Sequence, residues 1–425
     1  MPVSLKTARR ALPVIVAALT SLALSAPTAL AAPSPSPTPT ATPPAVMSTL
    51  GGERLGRPGT QVDLGTGGPV VPKDISARSW IVADAESGEV LAAHNAHWRL
   101  APASTLKMLF ADTVLPKFPA TMTHKVAPED LAGVGAGSSM VGIKEHETYT
   151  VRDLWLGVFL RSGNDAVHVL AAMNQGVDNT VREMNEHARE LQALDTKVVS
   201  PDGYDAEGQV SSAYDLTLFA RSGLQKKDFR EYCSTARAKF PGETKKDKKG
   251  KPYRTSFEIQ NTNRLLSGTD SDVPVYPGIA GVKNGNTTNA GATFTGVAER
   301  DGHVLLVTVM HPEKNEHNEV YKETAKLLDW GFAAVGKVRP VGELVAPVNA
   351  QSGAQSGASA APGAADGDAK GAAGAGKPAA SAASGGSSGV GVALGITGGV
   401  LVLLAGGVFL VNRRWPLPDL VRRRR

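Results

Sequence analysis

What this chain can fold into is limited first by where its large apolar side chains stop. Between Ala346 and Ser388 the sequence is mostly Ala, Gly and Ser, and from Pro33 to Pro44 Pro alternates with Ser, Thr and Ala. Neither stretch can bury enough apolar surface to offset the entropy of ordering its backbone. Residues 32–74 are therefore expected to be a Pro-rich extended spacer and residues 341–388 a flexible Ala/Gly/Ser tether. Of the 425 residues, only the stretch 75–340 keeps globular composition, enough for one large domain.

The ends read as address and anchor. Lys6, Arg9 and Arg10 precede an apolar run from Ala11 to Leu24 and a small-residue Ala29-Leu30-Ala31, the pattern of a secretory signal peptide over 1–31. Gly389 to Val411 is uncharged and largely apolar, and at roughly 1.5 Å per helical residue it is long enough to cross a bilayer. Arg413, Arg414 and Arg422 to Arg425 follow, so the positive-inside rule keeps residues 412–425 cytoplasmic and the folded part outside a cell membrane crossed once.

These ends also explain the formal charge of +5, since the signal carries +3 and the tail a net +5, leaving −3 for everything between. The basic balance therefore implies no nucleic-acid partner. Lys245, Lys246, Lys248, Lys249 and Lys251 form one basic run, expected at a solvated hairpin tip, with an anionic wall polymer as an outside possibility. Cys233 is the only cysteine, so there is no intramolecular disulfide, and no motif beside it suggests a nucleophile. The nine histidines show no H-E-x-x-H spacing, so no metal or other cofactor is expected.

Chemistry is concentrated in three short motifs. Ser104-Thr105-Leu106-Lys107 places a hydroxyl and an amine one helical turn apart, on one face. Serine attacks at neutral pH only if a base takes its proton, and lysine is such a base only when desolvation or a second cation keeps it partly neutral. An S-x-x-K arises by chance roughly once or twice in a chain this long, so it is weak alone. Ser162-Gly163-Asn164 and Lys283-Asn284-Gly285 follow it in order. Together the three match the signature of penicillin-binding proteins and class A β-lactamases. Ser162 suits a proton relay, Asn164 can hold Lys107 and substrate, and Lys283 brings a second positive charge that lowers the Lys107 pKa and attracts an anionic terminus. Gly285 is expected to leave room for a substrate backbone. Trp155 to Leu160 is apolar and should form a core helix that fixes Ser162.

With these motifs the chain resembles the low-molecular-mass D-alanyl-D-alanine carboxypeptidases, penicillin-binding serine peptidases, from about Trp80 to Phe332. Trp80 to Ala85 with Ser87 to Leu91 is similar to that family's opening hairpin. Arg99 to Ala103, Thr150 to Leu154, Ser200-Pro201-Asp202-Gly203, Ser211 to Leu216, Asn261 to Leu266 and Leu327 to Phe332 match in order. The resemblance implies acylation of Ser104 by the penultimate D-alanine of a peptidoglycan stem peptide, with Lys107 as base and Ser162 and Asn164 assisting. It also implies an oxyanion hole of the Ser104 and Asn286 amides, and covalent trapping by β-lactam antibiotics. The implied fold is α+β, a central antiparallel sheet flanked by helices plus a helical subdomain.

Two departures qualify the substrate. The family usually has Thr or Ser where this chain has Asn284, and aligning back from Trp330 puts its usual carboxylate-binding Arg at Val320. Thr287 remains to donate a hydroxyl and Lys283 to supply charge. A weakly active or inactive muropeptide-binding protein is the alternative these departures raise. A β-lactamase is disfavoured, because the position where its water-activating Glu would stand falls at Val198-Val199-Ser200-Pro201, with no acid nearby.

Overall fold

The computed structural model describes residues 42–314 and 316–350; the expected signal peptide, the membrane span at 389–411 and the Arg-rich tail lie outside the described residues. Among the described residues no helix is long and apolar enough to cross a membrane.

Among the described residues there are twelve strands: β1 Thr60–Leu64, β2 Ala77–Asp84, β3 Glu89–His94, β4 Thr123–Lys125, β5 Thr148–Thr150, β6 Arg237–Lys246, β7 Pro252–Gln260, β8 Ile279–Thr287, β9 Gly291–Arg300, β10 His303–Pro312, β11 Val338–Arg339 and β12 Gly342–Glu343. The helices are α1 Lys107–Val114, α2 Val151–Arg161, α3 Asn164–Met173, α4 Val177–Glu190, α5 Ala213–Gly223, α6 Lys227–Ser234, α7 Arg264–Ser267 and α8 Glu319–Ala334. The main sheet runs β11-β1-β3-β2-β10-β9-β8, with β12 also on β3, and its pairs are antiparallel. β4 pairs with β5 and β6 with β7 as separate ribbons.

The sheet divides two cores. Ile81, Ala83, Val90, Leu306 and Met310 point into a core shared with α1, α2 and α5, while Trp80, Val82, Leu91, Leu305 and Val307 pack against Val320, Leu327 and Leu328 of α8. Because successive residues point to opposite faces and both faces are covered, β2 and β10 are apolar almost throughout. The α+β expectation holds, with helices on both faces of the antiparallel sheet.

The folded body is wider than residues 75–340. Part of the expected 32–74 spacer is ordered: Leu55 is fully buried, and β1 pairs with β3 through Thr60↔His94 to Val62↔Ala92. At the other end, Val341 and Leu344 are buried around β12, within the first residues of the expected 341–388 tether. Both pieces add backbone partners to β3 near the sheet's edge, so little side-chain pattern is needed to hold them. Tyr214 on α5 ties them in, its hydroxyl donating to Glu343 O at 2.8 Å.

Candidate active site

The candidate nucleophile, Ser104, sits on a strained turn. Ser104 belongs to a 3-10 turn, Ala103–Leu106, that runs directly into α1, and i,i+3 side chains eclipse on such a turn. Ala103 just before it has φ 49°, a left-handed value that a side chain disfavours. Two glycines press against this turn. A Cβ on Gly203 would fall 2.0 Å from Ala103 O, and one on Gly285 would fall 2.6 Å from Ser104 N. The room at Gly285 is thus filled by the serine's own turn rather than kept for substrate, which was the expectation. Thr293 Oγ1 donates to Pro102 O at 3.0 Å and fixes the turn's entry to β9.

Lys107 is buried at the first position of α1, with Nζ 2.8 Å from Ser104 Oγ and 2.8 Å from Asn164 Oδ1, and it also donates to Asp202 O. Burial pushes its pKa down to about 8, against the opposing charges of Asp202 and Asp165. Lys283 is also buried and is pushed well below its ordinary value, first by burial and then by the Lys107 charge. Desolvation therefore dominates in both lysines.

Ser162 caps the C-terminus of α2 in the left-handed conformation, φ 56°, and its Oγ is buried without a hydrogen-bond partner. α2 is the expected core helix, with Trp155 and Phe159 packed beneath the site. Asn164 opens α3; its Nδ2 donates to Ser138 Oγ at 3.0 Å and its amide to Ser139 O at 2.8 Å. The Asp165 carboxylate accepts the amides of Val141, Gly142 and Ile143, fastening the loop beside the second motif.

The third motif lies on β8 after a bulge at Ile279/Gly281, and Val282 just before Lys283 has φ 120°, rare for a β-branched residue. Lys283 Nζ donates to Asn284 O at 2.6 Å. Thr262 Oγ1 donates to Asn284 Oδ1 at 2.9 Å, which turns the Asn284 amide nitrogen the other way. Asn284, Gly285 and Asn286 line a cleft of about 1060 Å³ with Arg264, His311 and Val320. Val320 is 4% exposed at the start of α8. Thr287 Oγ1 accepts the Ala290 amide at 3.2 Å and so shapes the β8–β9 turn.

Asp202 was missed as a site residue. It stands one position past Pro201, so an acid does occupy this neighbourhood. Burial would raise its carboxyl, but His168, the Lys107 charge, Ser200 Oγ and the Tyr204 amide together hold it at about 2. With its oxygens so engaged, it braces Lys107 rather than standing open to a water. The S-P-D-G stretch was visible, yet the atom that touches Lys107 is a main-chain carbonyl, which no side-chain pattern encodes. Thr262 lay within the matched Asn261 to Leu266 segment, but neither it nor Thr293 was given a role, because threonine in a strand or loop is unremarkable in sequence.

Two groups of ligand-type side chains occur among the described residues. His97, Asp195 and Asp215 cluster in the interior, and Asp270, Asp272 and His317 lie near the cleft. The first is spent on its own bonding, His97 Nδ1 lying 2.6 Å from Asp195 Oδ2, and the second is paired with Arg264 and Lys322.

Comparison with known proteins gives the family. Residues 67–314 match the family model described as D-alanyl-D-alanine carboxypeptidase. The carboxypeptidase DacB2 of Mycobacterium tuberculosis is 35% identical over 64% of this chain and 87% of its own length. DacD of Escherichia coli is 32% identical, with 61% of this chain matched to 64% of that protein. The chain thus spans less than two thirds of some of the relatives it matches. A crystal structure of the D-alanyl-D-alanine carboxypeptidase from M. tuberculosis H37Rv superposes with TM-score 0.57 at 34% identity, covering 66% of this chain and 99% of that one. The Streptomyces K15 DD-transpeptidase gives TM-score 0.55 at 25% identity, covering 62% and 100%. With Lys107 bonded to both Ser104 and Asn164 and more than half its length matched by the family model, this chain belongs to the D-alanyl-D-alanine carboxypeptidase family of serine peptidases.

Proposed function

We propose that the protein removes the terminal D-alanine from peptidoglycan stem peptides through an acyl-enzyme on Ser104, from a site held outside the cell by the 389–411 span. The observation that carries this reading is Lys107 Nζ at 2.8 Å from Ser104 Oγ in a setting that brings its pKa to about 8. An amine so placed is neutral in a useful fraction of molecules near neutral pH.

Lys107 takes the Ser104 proton as Oγ attacks the penultimate D-alanine carbonyl. The Ser104 and Asn286 amides receive the negative oxygen. As the C–N bond breaks, the proton passes from Lys107 through the Ser162 hydroxyl to the leaving D-alanine nitrogen. Water then hydrolyses the ester and restores Ser104. Asn164 orients Lys107 and the substrate amide, while Lys283, the Asn284 amide nitrogen and Thr287 attend the terminal carboxylate. A penicillin opens by the same attack, and the engaged Asp202 carboxylate favours a long-lived adduct over turnover.

The test is incubation with a fluorescent penicillin followed by D-alanine release from a pentapeptide. A stable adduct that vanishes in Ser104→Ala, together with release, supports the reading. An adduct without release favours the second reading, a muropeptide-binding protein, which Asn284 and the neutral Val320 in the cleft motivate. No adduct at all removes the acyl-enzyme.

A further inference from the structure

Away from the cleft, the β6–β7 ribbon makes a second, separate surface. Its base is clamped. Glu147 accepts from Thr244 N, Thr244 Oγ1 and Arg254, the Arg254 guanidinium lies 4.9 Å from the Tyr149 ring centre, and Phe240 sits 5.6 Å from both Tyr149 and Phe257. Beyond Arg254 the ribbon continues without such support to a tight end. There Asp247 Oδ1 accepts the Lys249 and Lys251 amides at 2.8 and 2.9 Å, and its own amide donates to Lys251 O.

The one acidic side chain of the tip is therefore consumed in holding the turn. Lys245 pairs with Glu243 at 2.9 Å, whereas Lys246, Lys248, Lys249 and Lys251 form no ion pair among the described residues. All of them are exposed. A solvated face of a globular protein usually mixes signs, because unrelieved like charge is destabilising; here four unpaired ammonium groups are held together by a turn that the sequence spends an aspartate to form.

We propose that this tip binds a flexible polyanion whose charge is carried by phosphodiesters, holding it while the cleft works on a different part of the same wall material. Ammonium groups on long stems are point charges suited to phosphate, and a polymer that is neutralised by several of them releases several counterions at once. The apex residues Asp247, Lys248, Lys249 and Gly250 include no apolar side chain, while the exposed rings of Tyr253 and Phe257 lie below the apex on β7. The apex turn itself thus carries charge without the apolar face that a membrane-lying element needs, and the two rings below it are what the lipid arm of the experiment checks. At about 3.3 Å per residue, β7 carries the tip roughly 25 Å from Gln260, whose neighbour segment reaches Asn284 through Thr262. A chain held at the tip can therefore reach the cleft without obstructing it.

The experiment measures binding of poly(glycerol phosphate) to the full-length chain in mild neutral detergent across a salt series. Short-chain phosphatidylglycerol micelles form the lipid arm. The Arg-rich tail is common to every variant, so differences belong to the tip. Replacing Lys246, Lys248, Lys249 and Lys251 by Gln is expected to weaken polymer binding at least tenfold at low salt. It should also flatten the log–log salt slope by about 3, near 0.7–0.9 per lost phosphate contact. Arginine at the same four positions is expected to keep both. Hydrolysis of a small soluble D-alanyl peptide should be the same in all three proteins. Unchanged affinity and slope in the Gln variant, loss in the Arg variant, or a loss confined to the lipid micelles would overturn the proposal.

Discussion

Lysine appears in two opposite settings in this molecule. Lys107 and Lys283 are each 1% exposed, and both are pushed down from the ordinary ammonium value, whereas Lys246 to Lys251 stand in water on the β6–β7 tip. The same side chain has the means to act as a base in one place and stays a fixed cation in the other. Hydration decides which, because removing water penalises only the charged form. It also decides the neighbours each needs. The buried pair requires Asn164, the Asp202 carbonyl and strained backbone at Ala103, Ser162 and Val282 to hold it, while the exposed group needs only a turn.

The sharpest way to break this contrast is to remove the buried base while keeping a positive charge. Lys107→Arg cannot act as a base, since the guanidinium does not deprotonate in proteins. A loss of about 10³-fold or more in both penicillin acylation and D-alanine release is expected, comparable to Ser104→Ala within the assay floor. Retention of more than a tenth of the activity would mean that position 107 serves as a cation, like the tip lysines, and that another group takes the proton.

A second probe is pH. Only neutral Lys107 accepts a proton, so below about 8 the acylation rate should fall by about tenfold per pH unit and should level off above it. The sign is opposite for a lysine acting only as an anion-binding charge, whose contribution persists at low pH and disappears at high pH. Stopped-flow acylation between pH 5.5 and 9.5 separates the two, and a flat profile would remove Lys107 as the titrating base.

These residues were legible because the three motifs carry their chemistry in side chains at fixed spacings. The support around them was less so. The Lys107 shift was expected from desolvation or from the second cation Lys283; it comes from burial, a property of how α1 packs beneath the turn, with Asp202 and Asp165 opposing it and no contribution from Lys283. Asp202 contributes through a carbonyl. β1 and β12 escaped notice because each is short and is held by backbone pairing to β3 rather than by an apolar run. The Lys245–Lys251 run, by contrast, was readable as a hairpin tip, and β6 and β7 form that hairpin, since local sequence suffices where packing plays little part.

A smaller effect is expected at the third motif, where the proposed substrate would place its terminal carboxylate. Asn284 Oδ1 is taken by Thr262, so only the amide nitrogen is left to donate, from a longer arm than a threonine hydroxyl. Asn284→Thr should raise D-alanine release several-fold, mainly through KM. No change or a fall would mean that the asparagine is suited to a different terminal group and would weaken the proposed substrate.

The comparison of buried with exposed charge extends to a carboxyl, where it should be felt in stability rather than rate. Asp215 near the start of α5 is pushed up to about 8, by burial first and then by the Asp195 charge, although Thr196 and the Asp195 amide donate to its Oδ2. Its Oδ1 has no partner. Between about pH 4 and 8 the unfolded chain ionises this group while the folded chain keeps the proton. The unfolded state then binds fewer protons, so this site makes stability fall as pH rises through that window. Asp215→Asn keeps an oxygen for the two donors and places an amide nitrogen where the orphaned Oδ1 stood, near the Asp195 carboxylate. Thermal unfolding should therefore show a gain on the order of 2 kcal/mol at pH 7.5, shrinking toward pH 4, with acylation by penicillin unchanged. A gain independent of pH would assign the benefit to the hydrogen bond alone. A loss at every pH would show that the folded protein uses an ionised Asp215, contrary to the burial that also lowers the Lys107 pKa.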